Sequence, residues 1–358
     1  MLIPENICKP MILCNDEDII QIAPGTPFRD ISRNIRRGKN ICMTGTYGFA
    51  MAFYAWLKKQ VSASFPADDY TGWRRQRNVL HRYQSQIWIR VSHHRPELDL
   101  APGNPWLHDF YPDKSLFLIT FADYLGLNGA RQWHEKGVHY PVLDFPLHPF
   151  YGVYFPSRDD HLLLLDRWLA DNNDFTRAID IGTGCGILAF MMLKRGIREV
   201  HATDINPNSI FSVRQDIQNT KSRIKGGLHL ELADLLGTFE PENNDLVVFN
   251  PPWIPSTPEK TLDRASYYEP GFFDQVFYEF QKKCPKGTTI ALMFSNFAIL
   301  AGLTSRNPIE EALTSYKEHF QLMDLHKQRV SQKTSKKKSW LQEIRRQEEV
   351  ELFIIGRI

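Results

Sequence analysis

The stretch RAIDIGTGCGILAFMMLKRG, residues 177–196, decides the fold class of this chain. RAIDI is a short apolar run typical of a buried strand, and ILAFMMLK reads as an apolar helix that ends at Gly196. Between them, Gly182, Gly184 and Gly186 allow a tight turn and let a bound molecule lie against the main chain without meeting a Cβ atom. The stretch therefore predicts a strand–turn–helix unit, with G-x-G-x-G spacing rather than the G-x-G-x-x-G of dinucleotide-binding proteins.

The residues around this unit alternate between strand and helix patterns. Apolar runs that predict strands recur at EVHATDI, LHLELAD, DLVVFN and TTIALMFS, and VELFIIGRI closes the chain. Helices are predicted in SRDDHLLLLDRWLADN and after the Asn-Pro pairs at 206–207 and 307–308. This alternation predicts an α/β, Rossmann-like fold for residues 151–358, with a doubly wound, mostly parallel seven-stranded sheet. Such sheets bind ligands at the carboxyl ends of their strands.

Residues 1–150 lack this regular alternation. Apolar residues recur at helical spacing in 48–60 and in 115–127. We expect a mainly helical N-terminal extension that helps to bind the substrate of the domain formed by residues 151–358.

The composition disfavours several classes of protein. The formal net charge of +2 over 358 residues is too small to attract nucleic acid or anionic membranes by the overall electrostatic field. The five cysteines are scattered and form no CxxC pair, so neither a disulfide framework nor a cysteine zinc site is predicted. The N-terminus lacks a secretory signal pattern, and no apolar run reaches the length of a membrane span. These observations predict a soluble, cytoplasmic protein.

Two acidic residues stand at the ends of predicted strands. Asp204 ends the second strand, where a carboxylate can accept hydrogen bonds from both hydroxyls of a ribose or cap the following helix. Asp234 ends the third strand, where it can accept a hydrogen bond from an adenine amino group or face solvent in a turn. Because strand ends of a parallel sheet meet at one edge, we expect both carboxylates to border the same cleft.

The stretch VVFNPPWIPS, residues 247–256, ends the fourth strand in an unusual way. Asn250 provides a side-chain oxygen, and the rigid pair Pro251 and Pro252 turns backbone carbonyls rather than amides toward the cleft. Two acceptors suit the two protons of an NH2 group, and Trp253 provides a flat face for stacking. Alone, the stretch is also compatible with a rigid turn; beside the glycine turn and two carboxylates, it predicts a socket for a planar nitrogen substrate.

Together these features resemble the class I S-adenosylmethionine-dependent methyltransferases that carry an (N/D)PP(Y/F/W) motif and methylate amino or amide nitrogens. The resemblance covers about residues 150–358. GVYFPSRDDHLLLLDRW, DIGTGCGILA and NPPWIP are locally similar to the HemK-type protein-glutamine N-methyltransferases, which share the methyltransferase small domain. Trp253 stands where that group usually has tyrosine, and FPSRDDH stands in place of an IPRPETE-like stretch.

The resemblance implies S-adenosylmethionine as cofactor and assigns roles to the residues at the strand ends. The methionine end of the cofactor would lie on Asp180, Gly182, Gly184 and Gly186, the ribose on Asp204, and the adenine on Asp234 and the Leu235 backbone. Phe155, Pro156 and Asn250 would border the cofactor, and Asn250, Pro251 and Trp253 would hold the nitrogen that is methylated.

Several alternatives stay open at this point. The acceptor favoured by the resemblance is a protein glutamine; a base amino group in RNA or DNA and a small-molecule amine are the alternatives. A protein of another class, a catalytically silent RNA-binding or scaffold protein with this fold, has no need of the NPPW socket. A nicotinamide dehydrogenase is disfavoured by the glycine spacing.

Two further patterns carry less information. The segment Lys327–Arg346 contains eight lysines and arginines, which suits contact with an RNA backbone but is also typical of a solvated loop, the interpretation we favour. The histidines of residues 1–150 fit no standard metal-binding spacing, so no metal site is predicted.

Overall fold

A computed structural model describes residues 3–15, 18–220, 223–258, 261–332 and 339–358. The chain forms two compact units, Met1–Gln132 and Trp133–Ile358. None of the described helices combines the length and apolar character that crossing a membrane requires.

The first unit is built on a sheet. Strands β2, β3 and β4 pair in parallel, β6 runs antiparallel to β4, and β1 runs antiparallel to β6, in the order β1-β6-β4-β3-β2 with β5 paired to β4. The elements in chain order are β1 (Ile12–Leu13), β2 (Ile20–Ile22), α1 (Phe28–Arg36), β3 (Ile41–Met43), α2 (Tyr47–Ser64), α3 (Tyr70–Gln84), β4 (Ile87–Ser92), β5 (Arg95–Pro96), α4 (Trp106–Phe110), β6 (Leu116–Thr120) and α5 (Phe121–Lys136).

The expectation for this part of the chain is only partly met. The helix predicted in 48–60 lies within α2, but the one predicted in 115–127 is wrong in its first half, where Leu116–Thr120 forms β6. LFLIT is a short apolar run, and periodicity cannot distinguish such a run from part of a buried helix. This run forms a strand because it pairs with β4 and β1. The sheet to which it belongs was not predicted from the sequence.

The second unit contains the predicted seven-stranded sheet, in the order β14-β15-β13-β10-β7-β8-β9. Only β15 runs antiparallel to its neighbours; the other pairings are parallel. Its elements are α6 (Asp160–Asp171), β7 (Arg177–Ile181), α7 (Ile187–Lys194), β8 (Glu199–Asp204), α8 (Pro207–Thr220), β9 (Gly227–Leu232), β10 (Leu246–Phe249), β11 (Ile254–Pro255), a 3-10 helix (Thr261–Ala265), β12 (Tyr267–Tyr268), α9 (Phe272–Lys283), β13 (Thr289–Ser295), α10 (Phe297–Leu300), α11 (Pro308–Ser315), β14 (Phe320–Arg329), α12 (Trp340–Gln347) and β15 (Glu349–Arg357).

The boundary between the units lies before residue 150. The segment 133–156 joins the sheet domain because its backbone bonds to side chains of α7 and α8. These bonds are His148 N to Asp216 Oδ2 (2.9 Å), Phe150 N to Ser212 Oγ (3.0 Å), Asn208 Nδ2 to Tyr151 O (2.6 Å), Asn206 Nδ2 to Gly152 O (2.8 Å) and Lys194 Nζ to Val142 O (2.8 Å). Such contacts join residues far apart in sequence, so local pattern does not reveal them.

The strand β10 and the helix α7 are apolar and buried. All four residues of β10 are buried, as is every residue of α7 from Ile187 to Leu193. Strands covered on both faces read as continuous apolar runs, which is the pattern seen in LVVF. This rigid core positions the loops at the carboxyl ends of β7, β8 and β10.

Candidate active site

A cleft of about 1000 Å³ opens at the carboxyl ends of the parallel strands. Its walls come from the turns after β7, β8, β9 and β10. Among the residues expected at the site, those that line it are Pro156, Gly182, Gly184, Asp204, Asp234, Leu235 and Asn250. The topology therefore brings together residues that lie almost 100 positions apart in the chain.

The glycine turn adopts a backbone that other residues rarely take. Gly184 has a φ of +54°, and a Cβ atom there would lie 2.9 Å from the Tyr154 carbonyl oxygen. Gly186 has a φ of +84°, but its added Cβ would meet Val213 and Phe190, so this glycine serves the packing of α7 and does not line the cleft. The two glycines are thus required for different reasons, one beside the cleft and one beneath it.

Asp180 lies beneath the turn rather than in the wall of the cleft. Its carboxylate is completely buried, and Oδ2 accepts hydrogen bonds from Thr183 Oγ1 (2.6 Å) and Ala189 N (3.1 Å). Burial raises the pKa of this carboxyl to about 7, against the opposing effect of the two donors. Its second oxygen, Oδ1, has no hydrogen-bond partner within the described part of the chain. Asp180 therefore joins the turn to the start of α7.

Asp204 lies in the cleft with its carboxylate held by the backbone. Oδ2 accepts from Gly184 N (2.9 Å) and Oδ1 accepts from Asn206 N (2.8 Å). Burial raises the pKa of Asp204, while these hydrogen bonds act in the opposite direction. Ser209 also interacts with this carboxylate, so the group is oriented, and its remaining acceptor capacity can serve a ligand.

Asp234 and Leu235 form a short loop at the end of β9. Asp234 Oδ1 accepts a hydrogen bond from Leu235 N (3.0 Å), so within the Leu235 backbone that the resemblance assigns to adenine the N–H group is already engaged. Leu235 has a φ of +46°, which is unusual for a branched residue, and Thr203 Oγ1 bonds to its carbonyl oxygen at 2.6 Å. The loop is thus held in a strained conformation at the cleft wall.

A second cleft of about 810 Å³ lies beside the first. Pro251 and Trp253 line this second cleft, whereas Pro252 lines the first. The residues that line both are Tyr154, Pro156, His161, Asn250 and Ala265. Asn250 therefore stands where a molecule in one cleft can meet a molecule in the other.

Asn250 and Trp253 are joined directly. The indole Nε1 of Trp253 donates to Asn250 Oδ1 at 3.0 Å. The Trp253 ring also meets the His161 ring edge to face, with centroids 5.5 Å apart and planes at 85°. The contact orders the Asn250 side chain, and Oδ1 retains one lone pair for a second donor.

His161 and Tyr154 are cleft residues that the sequence analysis did not select. His161 is 4% exposed, and burial lowers its pKa to about 4, so its ring is neutral at ordinary pH. Its Nε2 has no hydrogen-bond partner among the described residues. A histidine in the first turn of the helix before β7, within HLLLL, is the only signal that could have pointed to it.

Phe155 is placed differently from expectation. It lines neither cleft, and its ring packs against Trp133 with centroids 5.7 Å apart. Its neighbours Tyr154 and Pro156 line both clefts instead.

Comparison with known proteins agrees with this architecture. Residues 159–262 match the family model of the methyltransferase small domain. The match begins just before α6 and includes the glycine turn, Asp204, Asp234 and Asn250. This part of the chain is therefore similar to the methyltransferase small domain.

Three curated relatives share this part of the chain. A Methanocaldococcus jannaschii protein that is named as a protein N5-glutamine methyltransferase is 26% identical to this chain over 159 residues. The match covers 42% of this chain and 75% of the relative. The release factor glutamine methyltransferase of Deinococcus radiodurans is 34% identical over 96 residues, 26% of this chain and 32% of the relative. The tRNA1(Val) (adenine(37)-N6)-methyltransferase of Edwardsiella ictaluri is 27% identical over 105 residues, 29% of this chain and 42% of the relative. The chain thus spans three quarters of the first relative and less than half of the other two.

Proposed function

We propose that this protein transfers a methyl group from S-adenosylmethionine to an amide or amino nitrogen, with a protein glutamine as the favoured acceptor. The observation that carries the proposal is the position of Asn250, whose oriented side chain stands at the junction of the two clefts. The cofactor belongs in the cleft beside the glycine turn, and the acceptor enters through the cleft beside Trp253.

The residues of the first cleft fit the cofactor. Asp204 is held by two backbone N–H groups and presents its remaining lone pairs to ribose hydroxyls. Gly182 and Gly184 line the cleft with backbone that carries no side chain. Asp234 also lines it and follows β9, the strand that pairs with β8.

When bound, S-adenosylmethionine supplies a methyl group that its sulfonium makes electrophilic. The chain contributes position: holding two reactants in a near-attack arrangement lowers a barrier by roughly 7–11 kcal/mol. The rigid Pro251–Pro252 pair and the Trp253–Asn250 hydrogen bond limit the movement of the acceptor side of the site.

Asn250 also acts on the electrons of the acceptor. An amide nitrogen is a poor nucleophile because its lone pair is delocalised into the carbonyl. Hydrogen bonds from its N–H groups to Asn250 Oδ1 and to a neighbouring backbone carbonyl would stabilise the positive charge that develops as the N–C bond forms and the S–C bond breaks, with its electron pair left on the sulfur. The nitrogen would then lose one N–H proton to solvent. His161, neutral and buried beside Trp253, adds no competing charge.

Glutamine is favoured by two of the relatives, whose names specify glutamine methylation, and by the local similarity around GVYFP and NPPWIP. The tRNA adenine methyltransferase favours a base amino group as the second candidate. The basic segment Lys327–Arg346 would serve that alternative, although residues 333–338 of it lie outside the described part of the chain. Residues 1–150 are proposed to help bind the acceptor.

The deciding experiment follows a labelled methyl group from S-adenosylmethionine into a cell extract treated with this protein. Label removed by protease, and recovered in peptides as methylglutamine by mass spectrometry, supports the favoured acceptor. Label removed by nuclease makes the base amino group the acceptor, and label on a small molecule makes a free amine the acceptor. If the cofactor binds but no fraction gains label above the Asn250→Ala control, a silent scaffold is the better description.

A further inference from the structure

A group of three metal-ligating side chains lies at the other end of the sheet. Glu199 and His201 are two residues apart on β8 and so face the same side of the strand. His229 on the edge strand β9 is the direct parallel partner of His201. Strand register thus brings the three together, although the two histidines lie 28 positions apart in the chain.

The ligand atoms are already close to metal-binding spacing. His201 Nε2 lies 3.0 Å from Glu199 Oε1, and His229 Nε2 lies 3.9 Å from the same oxygen. All three ligand atoms lie within 4.8 Å of one another. A tetrahedral zinc ion with bonds of about 2.0–2.1 Å separates its ligand atoms by roughly 3.3–3.4 Å. The observed separations of 3.0 and 3.9 Å bracket this spacing.

The group is rigidly supported and open to solvent. The two imidazole rings stack with centroids 4.8 Å apart, and Phe239 packs against His201 at 4.5 Å. The side chains of Glu199 and His229 are 44% and 58% exposed, so an ion can reach them from water. A ligand set on neighbouring strands loses little conformational entropy when it binds an ion.

The local charge also favours a cation. Arg177 lies near Glu199, but it pairs with Glu242 and with Asp245. These three carboxylates and one guanidinium leave a net negative charge beside two imidazoles. Glu199, which hydrogen-bonds to His201 in the structure, can exchange that contact for a bound ion and balance its charge.

We propose that Glu199, His201 and His229 form a binding site for a divalent transition-metal ion, with Zn²⁺ as the best match. Two imidazole nitrogens and one carboxylate oxygen are a common zinc ligand set, and solvent completes the coordination. The site lies about 10–16 Å from the Asp204 end of β8, at about 3.3 Å per strand residue. The ion joins the edge strand β9 to β8 and stabilises the sheet, and this proposal is independent of the methyl-transfer activity.

The test is a zinc titration by calorimetry of the untagged, chelator-treated full chain, with Co²⁺ absorption as a second readout. We expect one saturable equivalent in the wild-type protein, visible Co²⁺ bands typical of tetrahedral coordination, and a higher melting temperature with Zn²⁺. His201→Ala and His229→Ala should each weaken binding at least tenfold and abolish the Co²⁺ bands. His139→Ala, an exposed histidine outside the group, is the matched control and should bind as the wild type does.

Glu199→Gln keeps the proposal testable if the two histidine-to-alanine variants fail to fold. It retains the size of the side chain, removes its charge, and should weaken zinc binding while leaving the melting temperature of the metal-free protein unchanged. Equal zinc affinity in the wild type and all three variants would overturn the proposal, as would the absence of saturable binding in the wild type.

Discussion

The indole N–H of Trp253 donates a hydrogen bond to Asn250 Oδ1 at 3.0 Å, and the two residues are three positions apart in the chain. This bond determines which way the asparagine amide faces, because the oxygen must lie toward the indole. The acceptor nitrogen then meets the second lone pair of an oxygen that is already oriented. Trp253 is thereby a positioning residue as well as a stacking face, a role that a ring without an N–H donor cannot fill in the same way.

Trp253→Phe tests this positioning role. The variant keeps an aromatic face but loses the donor, so we expect kcat to fall about tenfold while cofactor affinity is unchanged. Tenfold corresponds to about 1.4 kcal/mol, which is within the usual net value of a hydrogen bond. Steady-state kinetics and calorimetry measure the two quantities. Trp133→Phe, which alters an exposed ring that lines neither cleft, is the control; equal kcat in both variants would refute the role.

Substitutions of Asn250 separate acceptor binding from cofactor binding. Asn250→Ala removes the oxygen at the junction of the clefts, so turnover should be abolished while the cofactor dissociation constant changes less than threefold, about 0.65 kcal/mol. Asn250→Asp restores two acceptor oxygens and should recover part of the activity. Single-turnover methyl transfer measures both. Full turnover by the alanine variant would show that the socket is not part of the active site.

Asp204→Ala should weaken cofactor binding at least about a hundredfold. Two hydrogen bonds to a charged group contribute roughly 1.5–3 kcal/mol each, and the variant also releases the backbone N–H groups of Gly184 and Asn206. Calorimetry with S-adenosylmethionine gives the affinity. The exposed Asp171→Ala provides the comparison for a carboxylate outside the cleft, and an Asp204 variant that binds like this control would contradict the ribose assignment.

His161 gives the protein a pH dependence with a definite sign. Its pKa is lowered to about 4 in the folded chain, against about 6.5 when unfolded, so the unfolded chain binds more protons between these values. Stability from this group is therefore complete above about pH 6.5 and is lost as the pH falls toward 4, by about 3 kcal/mol at most.

His161→Gln removes that dependence. The free energy of unfolding of the wild type minus that of the variant should decrease from pH 7 to pH 4, as measured by urea denaturation at several pH values. The difference is informative because Asp180 and Asp216, whose pKa values are raised to about 7 and about 6, contribute with the opposite sign in both proteins. His139→Gln is the exposed control. A constant difference across the range would show that His161 is not held neutral by burial.

Much of the sheet domain was predictable from local pattern. The strand at 177–181, its glycine turn and the following helix lie in one continuous stretch, and the alternation of strand and helix patterns predicted a mostly parallel sheet. The order of the seven strands comes from pairing between distant segments. The first unit was less predictable, since LFLIT forms a strand only because β4 and β1 pair with it. The periodicity of a short apolar run does not distinguish a strand from a helix. The strands that pair with it in the folded protein decide which one it forms.

The sequence by itself determined the strand–turn–helix unit and the residues at the strand ends, because strand length, glycine and proline act through neighbouring residues. Tertiary structure decided which of those residues face the clefts: Asp180 lies beneath its turn, Tyr154 faces inward where Phe155 was expected, and His161 approaches Trp253 from another element. It also brought His229 beside His201 and Glu199. These relationships depend on register and packing between distant segments, which a linear pattern of residue types does not specify.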